Sequence, residues 1–498
     1  MKPIGVNSQP HASPSAAAGE NPRRYLILAI CTLSVLMVTM DGSIVNVALT
    51  VLRTDLHASV SGLQWIIDGY VLMLASTVML SGSIADRVGR RRVFLTGLAT
   101  FTAFSALCSA APNTGLLIAF RALQGLGGSM LTPVAMSIVI NVFTEPRERA
   151  RAMGLWGISQ GISIALGPII GGVLIDTLGW RSIFWINVPV GIIAIALVRV
   201  FVPESRAERP RRQDPVGQVA VLAALTGFTF AIIEYPHTGW LSGPTLTALV
   251  IGVSGLAAVV IYEPRRSQPL IELRFFRSLP FSGAFIVAIF AVGAYSGFMF
   301  LASLYLQGSR AMTPTDAALT LIPMALIMMI SGPLAGRVLG AYGPRAPLVI
   351  AGSALFAGAL MFLDLRPSSS LPHVIATFVF FGVGASFTAS PTTNAAASGM
   401  PNSQAGVAAG LASTARLMGN AIGVAVIGSV FNSGLGSASV QAGFTSAVRP
   451  GLWVIAGCGL VTIVLAIATN SASARATTNR VRYLFEEPNT RTTPRHGG

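Results

Sequence analysis

Charge is scarce in this chain. Only 10% of its 498 residues are Asp, Glu, Lys or Arg, 53% are hydrophobic, and the mean hydropathy is +0.69. A soluble domain carries roughly 25% charged residues, so water is excluded as the main solvent. Cysteine is scarcer still. Cys31, Cys108 and Cys458 all fall inside apolar runs, which excludes a disulfide framework and a metal site of spaced ligands. There is no Gly-rich phosphate loop, no zinc-ligand spacing and no nucleophile constellation. Enzyme activity is therefore not expected, nor is a cofactor, and an ion gradient is left as the source of energy. Period-two alternation is also missing, which argues against a membrane barrel.

What is present is a series of apolar runs, each about 20 residues long and able to cross a ~30 Å hydrocarbon core as a helix. They fall near 25–48, 62–81, 93–111, 115–141, 153–174, 186–202, 216–235, 245–263, 281–304, 316–336, 346–363, 373–395, 405–430 and 449–468. The expectation is an all-α polytopic membrane protein of fourteen spans. Residues 1–24 are polar and Pro/Ser/Ala-rich, which reads as a disordered tail. The first run is too long for a signal-peptide core and is expected to stay as a span.

The net charge of +15 sits in particular loops. Of the 33 Lys and Arg residues, 26 lie in the two tails and alternate loops, and five (Arg53, Arg181, Arg310, Arg366, Arg449) lie in the opposite set. That asymmetry puts both tails in the cytoplasm and makes the basic charge a topology signal, not a nucleic-acid footprint. Trp65, Trp180, Trp185, Trp240 and Trp453 fall near expected outer span ends, where interfacial indoles belong. The expected partners are the lipid bilayer and a small molecule, with no nucleic acid and a monomeric chain.

One stretch organises the rest: Gly82 to Arg92, GSIADRVGRRR, between spans two and three. A degenerate copy, GRVLGAYGPR, runs from Gly336 to Arg345. Gly82 and Gly336, Gly89 and Gly343, and Arg91 and Arg345 are each 254 residues apart (336 − 82 = 254). Adding 254 to spans one to five lands on spans nine to thirteen, so the chain reads as a duplicated domain. The N-terminal six-span half is 25–202 and the C-terminal half is 281–470. Between them, 203–280 holds a basic linker, an inserted hairpin of spans seven and eight, and a basic loop. A cytoplasmic tail, 471–498, closes the chain.

Gly82, Asp86, Arg87, Gly89, Arg91 and Arg92 resemble the loop motif of the major facilitator superfamily. With fourteen spans and Asp41-Gly-Ser-Ile-Val-Asn-Val-Ala-Leu49, the chain resembles that superfamily's drug:proton antiporter branch, which includes quaternary-ammonium and methylenomycin exporters. The resemblance implies the major facilitator fold, alternating access and antibiotic or multidrug efflux from the inner membrane.

Three charges lie inside spans, each about 9–10 Å below its outer end: Asp41, Asp68 and Arg121. Charges from three helices at one depth belong inside the bundle, because facing lipid costs several kcal/mol each. They are either a static ion pair or the proton-coupling site. Arg121-x-x-Gln124-Gly125 resembles the superfamily motif associated with proton transfer. The matching positions of the second half are Tyr295, Ile322 and Ile375, so any proton route belongs to the first half.

In the loop, Asp86 and Arg91 are expected to form a latch between the halves, while Arg90 and Arg92 serve to orient the chain. Asp86 is expected at a helix N-terminus, where the macrodipole favours it. Span five carries Gly161, Gly167, Pro168, Gly171 and Gly172; small residues permit close helix approach and proline bends the helix. That spacing resembles the superfamily's antiporter motif and points to export. Gln124, Met299, Met324, Met328 and Arg416 are weaker candidates for a substrate cavity, since thioethers suit adaptable pockets. Arg416 either binds an anion or satisfies carbonyls at a helix break.

The reading is proton-driven efflux of hydrophobic or amphiphilic compounds. Asp41 and Asp68 against Arg121 leave one negative charge, which favours cationic or neutral cargo; Arg416 brings the sum to zero. Proton-coupled uptake of a small metabolite is the alternative, and a non-transporting sensor is a third.

Overall fold

The computed structural model describes residues 22–207, 213–266, 269–398, 400, 402–436, 440–482 and 485. Among them, fourteen helices are long and apolar enough to cross a membrane. The first half comprises α1 (Pro22–Asp55), α2 (Val60–Val88), α3 (Arg90–Ser109), α4 (Thr114–Val142), α5 (Pro146–Leu178), and the short α6 (Ser182–Trp185) continued by α7 (Asn187–Phe201). The inserted hairpin is α8 (Pro215–Thr238) and α9 (Gly243–Tyr262). The second half comprises α10 (Leu279–Ser303), α11 (Pro314–Tyr342), α12 (Arg345–Leu363), α13 (Leu371–Ser398), α14 (Asn402–Leu435) and α15 (Val440–Thr469). A last helix, α16 (Ala472–Arg482), follows where the sequence suggested only a tail. The expected disordered segment falls mostly on residues 1–21, outside the described ones.

The helix starts are written locally. Ser59 accepts a hydrogen bond from Gly62 N at 3.1 Å, Asn113 from Leu116 N at 2.9 Å and Thr313 from Asp316 N at 3.1 Å. Each side-chain oxygen satisfies one of the donors that a helix start leaves open. Duplication extends to the bounds themselves: Val60–Val88 shifted by 254 gives 314–342, which is α11. The two corners that follow match as well, with Gly89 at φ 126° and Gly343 at φ 72°.

The helices outrun the apolar stretches. α1 reaches Asp55, so Asp41 lies 14 residues (55 − 41) from its end, about 21 Å at 1.5 Å per residue. It is near the helix middle, deeper than expected. α2 continues to Val88, so Gly82, Asp86 and Arg87 belong to a helix and only Gly89 turns the chain. Hydropathy marks where lipid ends, whereas the backbone hydrogen-bond ladder continues into the polar zone.

The two ends of the bundle differ. We call the end carrying both tails the tail face. At the far face the halves are sealed: α2 packs on α14 and α5 on α11. There Gln64 Nε2 donates to Ala425 O at 2.9 Å, and Gln307 Nε2 to Val47 O at 2.7 Å. Thr315 N donates to Asp176 Oδ2 at 2.8 Å. Toward the tail face the halves diverge around a cavity of about 920 Å³.

The inserted hairpin leans on the seam between the halves. α8 touches both α2 and α14, through Trp65 Nε1 to Glu234 Oε1 (2.9 Å) and Tyr235 to Ser433 (3.1 Å). α9 packs on α8 and exposes Val250, Val253 and Val260, an apolar outer face suited to lipid. Trp185, Trp240 and Trp453 are exposed as interfacial indoles should be. Trp180 is not; it is buried, with the Arg181 guanidinium 4.3 Å from its ring. Glu263, just past α9, is also buried, and accepts from Leu270 N at 2.7 Å.

Candidate functional site

The site begins with one turn of α4. Arg121 and Gln124 are three residues apart and share a helix face. Gly125 follows, and a Cβ there would sit 2.3 Å from Tyr70 O. Its absence lets α2 close in, which lays the Tyr70 ring 4.1 Å from the Arg121 guanidinium. Arg121 Nε donates to Ile66 O at 3.2 Å and its Nη1 to Gln124 Oε1 at 2.7 Å. Nη1 also pairs with Asp41 Oδ2.

Asp41 is saturated with donors. Its Oδ1 accepts from Gln124 Nε2 and from Asn187 Nδ2, both at 2.9 Å. Gln124 Nε2 also reaches Ser105 Oγ at 2.7 Å. Arg121 is 1% exposed and Asp41, Gln124 and Ser105 are fully buried. A buried pair is tolerable only when its remaining lone pairs and protons are satisfied, and helices α1, α3, α4 and α7 together do this. In this conformation the partners of the Asp41 carboxylate are all donors: Arg121, Gln124 and Asn187.

The sequence candidates divide accordingly. Asp41 and Arg121 meet. Asp68 does not join them: it is fully buried, and neither of its oxygens has a hydrogen-bond partner. Gln124, proposed for the substrate cavity, belongs to the buried network instead, because i, i+3 spacing turns it toward Asp41. Asn187, Ser105 and Tyr70 are new. Nothing in their type or spacing marked them, since a lone Asn, Ser or Tyr inside a span is ordinary.

Arg121 also lies on the cavity wall, with Gly42, Ser43 and Asn46 of α1. From there the cavity runs between α2, α4, α10 and α14 to Asp86, Asp214 and Gly406 at the tail face. Met299 and Arg416 line it. Met324 and Met328 line a much smaller void of about 20 Å³ beside Pro168.

Around Gly89 the loop clamps one half to itself. Asp86 lies in the last turn of α2, not at a helix N-terminus, where the macrodipole disfavours it. Arg90 compensates, with Nη2 2.8 Å from Asp86 Oδ1. Arg91 donates to Arg199 O and Arg92 lies 3.8 Å from Glu204. Ala207 N donates to Asp86 O at 3.1 Å and Arg90 N to Ser205 O at 2.9 Å. Arg90, where Arg91 was expected, is thus the partner of Asp86, and Arg91 joins the clamp through Arg199 O and Glu204. The latch ties α2 and α3 to α7 and to the start of the linker after it, while the cavity stands open; Arg87 is exposed.

The α5 glycines are unequal. A Cβ on Gly167 would lie 2.0 Å from Ser43 Oγ and 3.3 Å from Met40 O, the residues flanking Asp41. Gly171 meets Ile44, and Gly172 meets Pro314 O at 2.7 Å across the far-face seal. Gly161 faces nothing within 4 Å, so close packing accounts for three of the four glycines.

These observations can be set beside known proteins. The profile of the Major Facilitator Superfamily matches residues 31–424. The Tetracenomycin C resistance and export protein of Streptomyces glaucescens is 34% identical over 86% of this chain and 81% of its own. Multidrug resistance protein Stp of Mycobacterium tuberculosis is 35% identical over 82% of this chain and 76% of its own. The Methylenomycin A resistance protein of Streptomyces coelicolor is 32% identical over 84% and 88%. In structure, a bacterial homolog of the human lysosomal transporter Spinster superposes with TM-score 0.63 at 17% identity, covering 93% of this chain and 99% of that one. At that identity the likeness concerns the fold alone.

Proposed function

The chain belongs to the major facilitator superfamily, and we propose that it is a secondary active exporter of antibiotics and other hydrophobic or amphiphilic compounds, driven by inward proton flow. It is a multi-pass membrane protein. In this reading it sits in the plasma (inner) membrane with both tails in the cytoplasm, acts as a monomer, catalyses no chemical reaction and needs no cofactor beyond the proton gradient. Its partners are the bilayer and the transported compound; nucleic acid is not among them. With that orientation the open cavity faces the cytoplasm, where an exporter loads.

One observation carries the proposal: a buried carboxylate, Asp41, ion-paired to an arginine on the cavity wall. A proton on Asp41 removes the charge that holds Arg121. Gly167 packs on the α1 turn carrying Asp41, and Gly172 on the same α5 packs on α11 at the far-face seal. Protonation at Asp41 is thereby linked to the contact that keeps the far side shut, as alternating access requires. Asp68, with no donor in this conformation, is a second carrier in the same half. The tail-face clamp of Asp86, Gly89, Arg90 and Arg91 keeps the first half together as it moves.

Everted membrane vesicles test this. A compound that the protein exports should release protons from energised vesicles holding wild type, and should not do so with Asp41→Asn. Export that continues without proton movement would refute the coupling. Reporters fused after Asp214 and after Ser267 should read inside, and one within 237–243 should read outside; the reverse pattern would turn the cavity outward and remove the export reading.

A further inference from the structure

We infer that Arg416 is an anion-recognition residue, and that the preferred cargo is an amphiphile carrying an oxyanion such as a carboxylate, phenolate or sulfonate. This rests on the transport reading above and reverses the cationic or neutral preference drawn from the sequence.

Four groups on the cavity wall carry formal charge: Asp86, Arg121, Asp214 and Arg416. Three are compensated. Asp86 pairs with Arg90 at 2.8 Å, Asp214 lies 3.7 Å from Arg266, and Arg121 pairs with Asp41. None of the ion pairs among the described residues includes Arg416. Asp68, the other acid deep in the bundle, is not on this wall. The cavity therefore presents one positive charge with nothing opposite it.

That charge is aimed and held. Arg416 Nη1 donates to Thr393 Oγ1 at 2.9 Å and Nη2 to Ser413 Oγ at 2.8 Å. Both hydroxyls give their own hydrogen to a helix carbonyl: Thr393 to Ala389 O at 3.0 Å, and Ser413 to Ala409 O at 3.2 Å. They are left as acceptors only, so they position the guanidinium without neutralising it. Two of its five N–H groups are used, and the planar fork still has donors for an oxyanion.

The surroundings suit the rest of such a molecule. Tyr295, Met299, Leu417 and Val424 supply apolar and polarisable wall, and Asn420 and Ser296 supply hydrogen bonds. In a site partly shielded from water, a charge-assisted hydrogen bond is roughly twice as strong as a neutral one. A permanent cation there meets uncompensated repulsion. Arginine beside a helix break would have carbonyls as its partners; here they are two hydroxyls, so the satisfaction of broken backbone does not explain it.

Three probes sharing one apolar body separate the charges: pyrenebutyrate, pyrenebutanol and pyrenebutyltrimethylammonium. In everted vesicles with an imposed pH gradient, full-length wild type should move the acid at least about tenfold faster than the cation, in keeping with one charged hydrogen bond. Arg416→Ala should lose about tenfold on the acid and stay within about twofold on the alcohol, with Arg416→Lys between. Faster movement of the cation by wild type, or an acid rate untouched by Arg416→Ala, overturns the proposal. If no probe moves, the transport reading is at fault, and binding to the purified full-length protein decides the site. Tighter binding of the acid than of the alcohol, lost in Arg416→Ala, upholds it. No such preference, or no binding, overturns it.

Discussion

The two halves share a frame and differ in chemistry. Shifting Asp41, Asp68, Arg121 and Gln124 by 254 gives Tyr295, Ile322, Ile375 and Phe378. Where the first half joins four helices through a carboxylate and its donors, the second fills the equivalent space with rings. Phe378 packs at 5.1 Å against Phe298, which stacks on Phe381 at 3.7 Å. An aromatic cluster has one favourable packing and nothing to titrate. A satisfied polar network has as many states as it has protonation patterns, and each pattern changes which helices attract. Duplication therefore supplied two similar frames, and divergence confined the buried Asp–Arg network to one of them. The second half keeps one charge on the cavity wall, Arg416.

The sharpest way to break this contrast is to remove the buried carboxylate. Asp41→Asn should abolish substrate-driven proton release, a loss beyond a hundredfold in everted vesicles, while the protein still reaches the membrane. Its counterpart, Tyr295→Phe, should stay within about threefold, since it removes only a weak contact to Met328 Sδ at 3.8 Å. Wild-type proton exchange in Asp41→Asn would reduce the network to scaffolding.

Arg121→Ala should destabilise more than either, because it leaves a buried carboxylate uncompensated at a cost of about 3–5 kcal/mol. A fall in the thermal midpoint of the purified protein, larger than that of Asp41→Asn, is the expected result. Equal midpoints would mean that water replaces the guanidinium freely.

Next comes α5. Gly167→Val pushes α5 off the α1 turn that carries Asp41, so vesicles should leak protons or export several-fold less. Gly161→Ala, into open space, should be silent. If the two behave alike, packing is not what the glycines provide.

The smallest effect expected separates the paired corners. Gly89→Ala meets both a left-handed φ and the Glu204 carboxylate at 2.6 Å, whereas Gly343→Ala meets a left-handed φ of 72°. Strain of this kind costs about 1–3 kcal/mol. Gly89→Ala should lower the thermal midpoint further than Gly343→Ala, and the opposite order would show that the Glu204 strap is dispensable.

Several of these features were legible in the chain. Scarce charge and apolar runs of bilayer length fix fourteen spans, because hydrocarbon admits few other backbones. The shared 254-residue offset exposes the duplication. A buried Asp and Arg in a low-charge chain stand out, since each would be costly against lipid.

What escaped the sequence is everything that depends on which faces meet. Asn187 completes the Asp41 shell from a helix 146 residues away, and no local pattern distinguishes it from any other asparagine. Asp86 takes Arg90 because α2 runs on to Val88, placing Arg90 at the start of the next helix. Met299 faces the large cavity while Met324 and Met328 do not, although all three residues are equally apolar. Arg416 is uncompensated because the two acids on the cavity wall, Asp86 and Asp214, already have cations. Sequence states which solvent each residue tolerates; the rotation and register of packed helices, set by contacts summed over the whole bundle, decide which residues become neighbours.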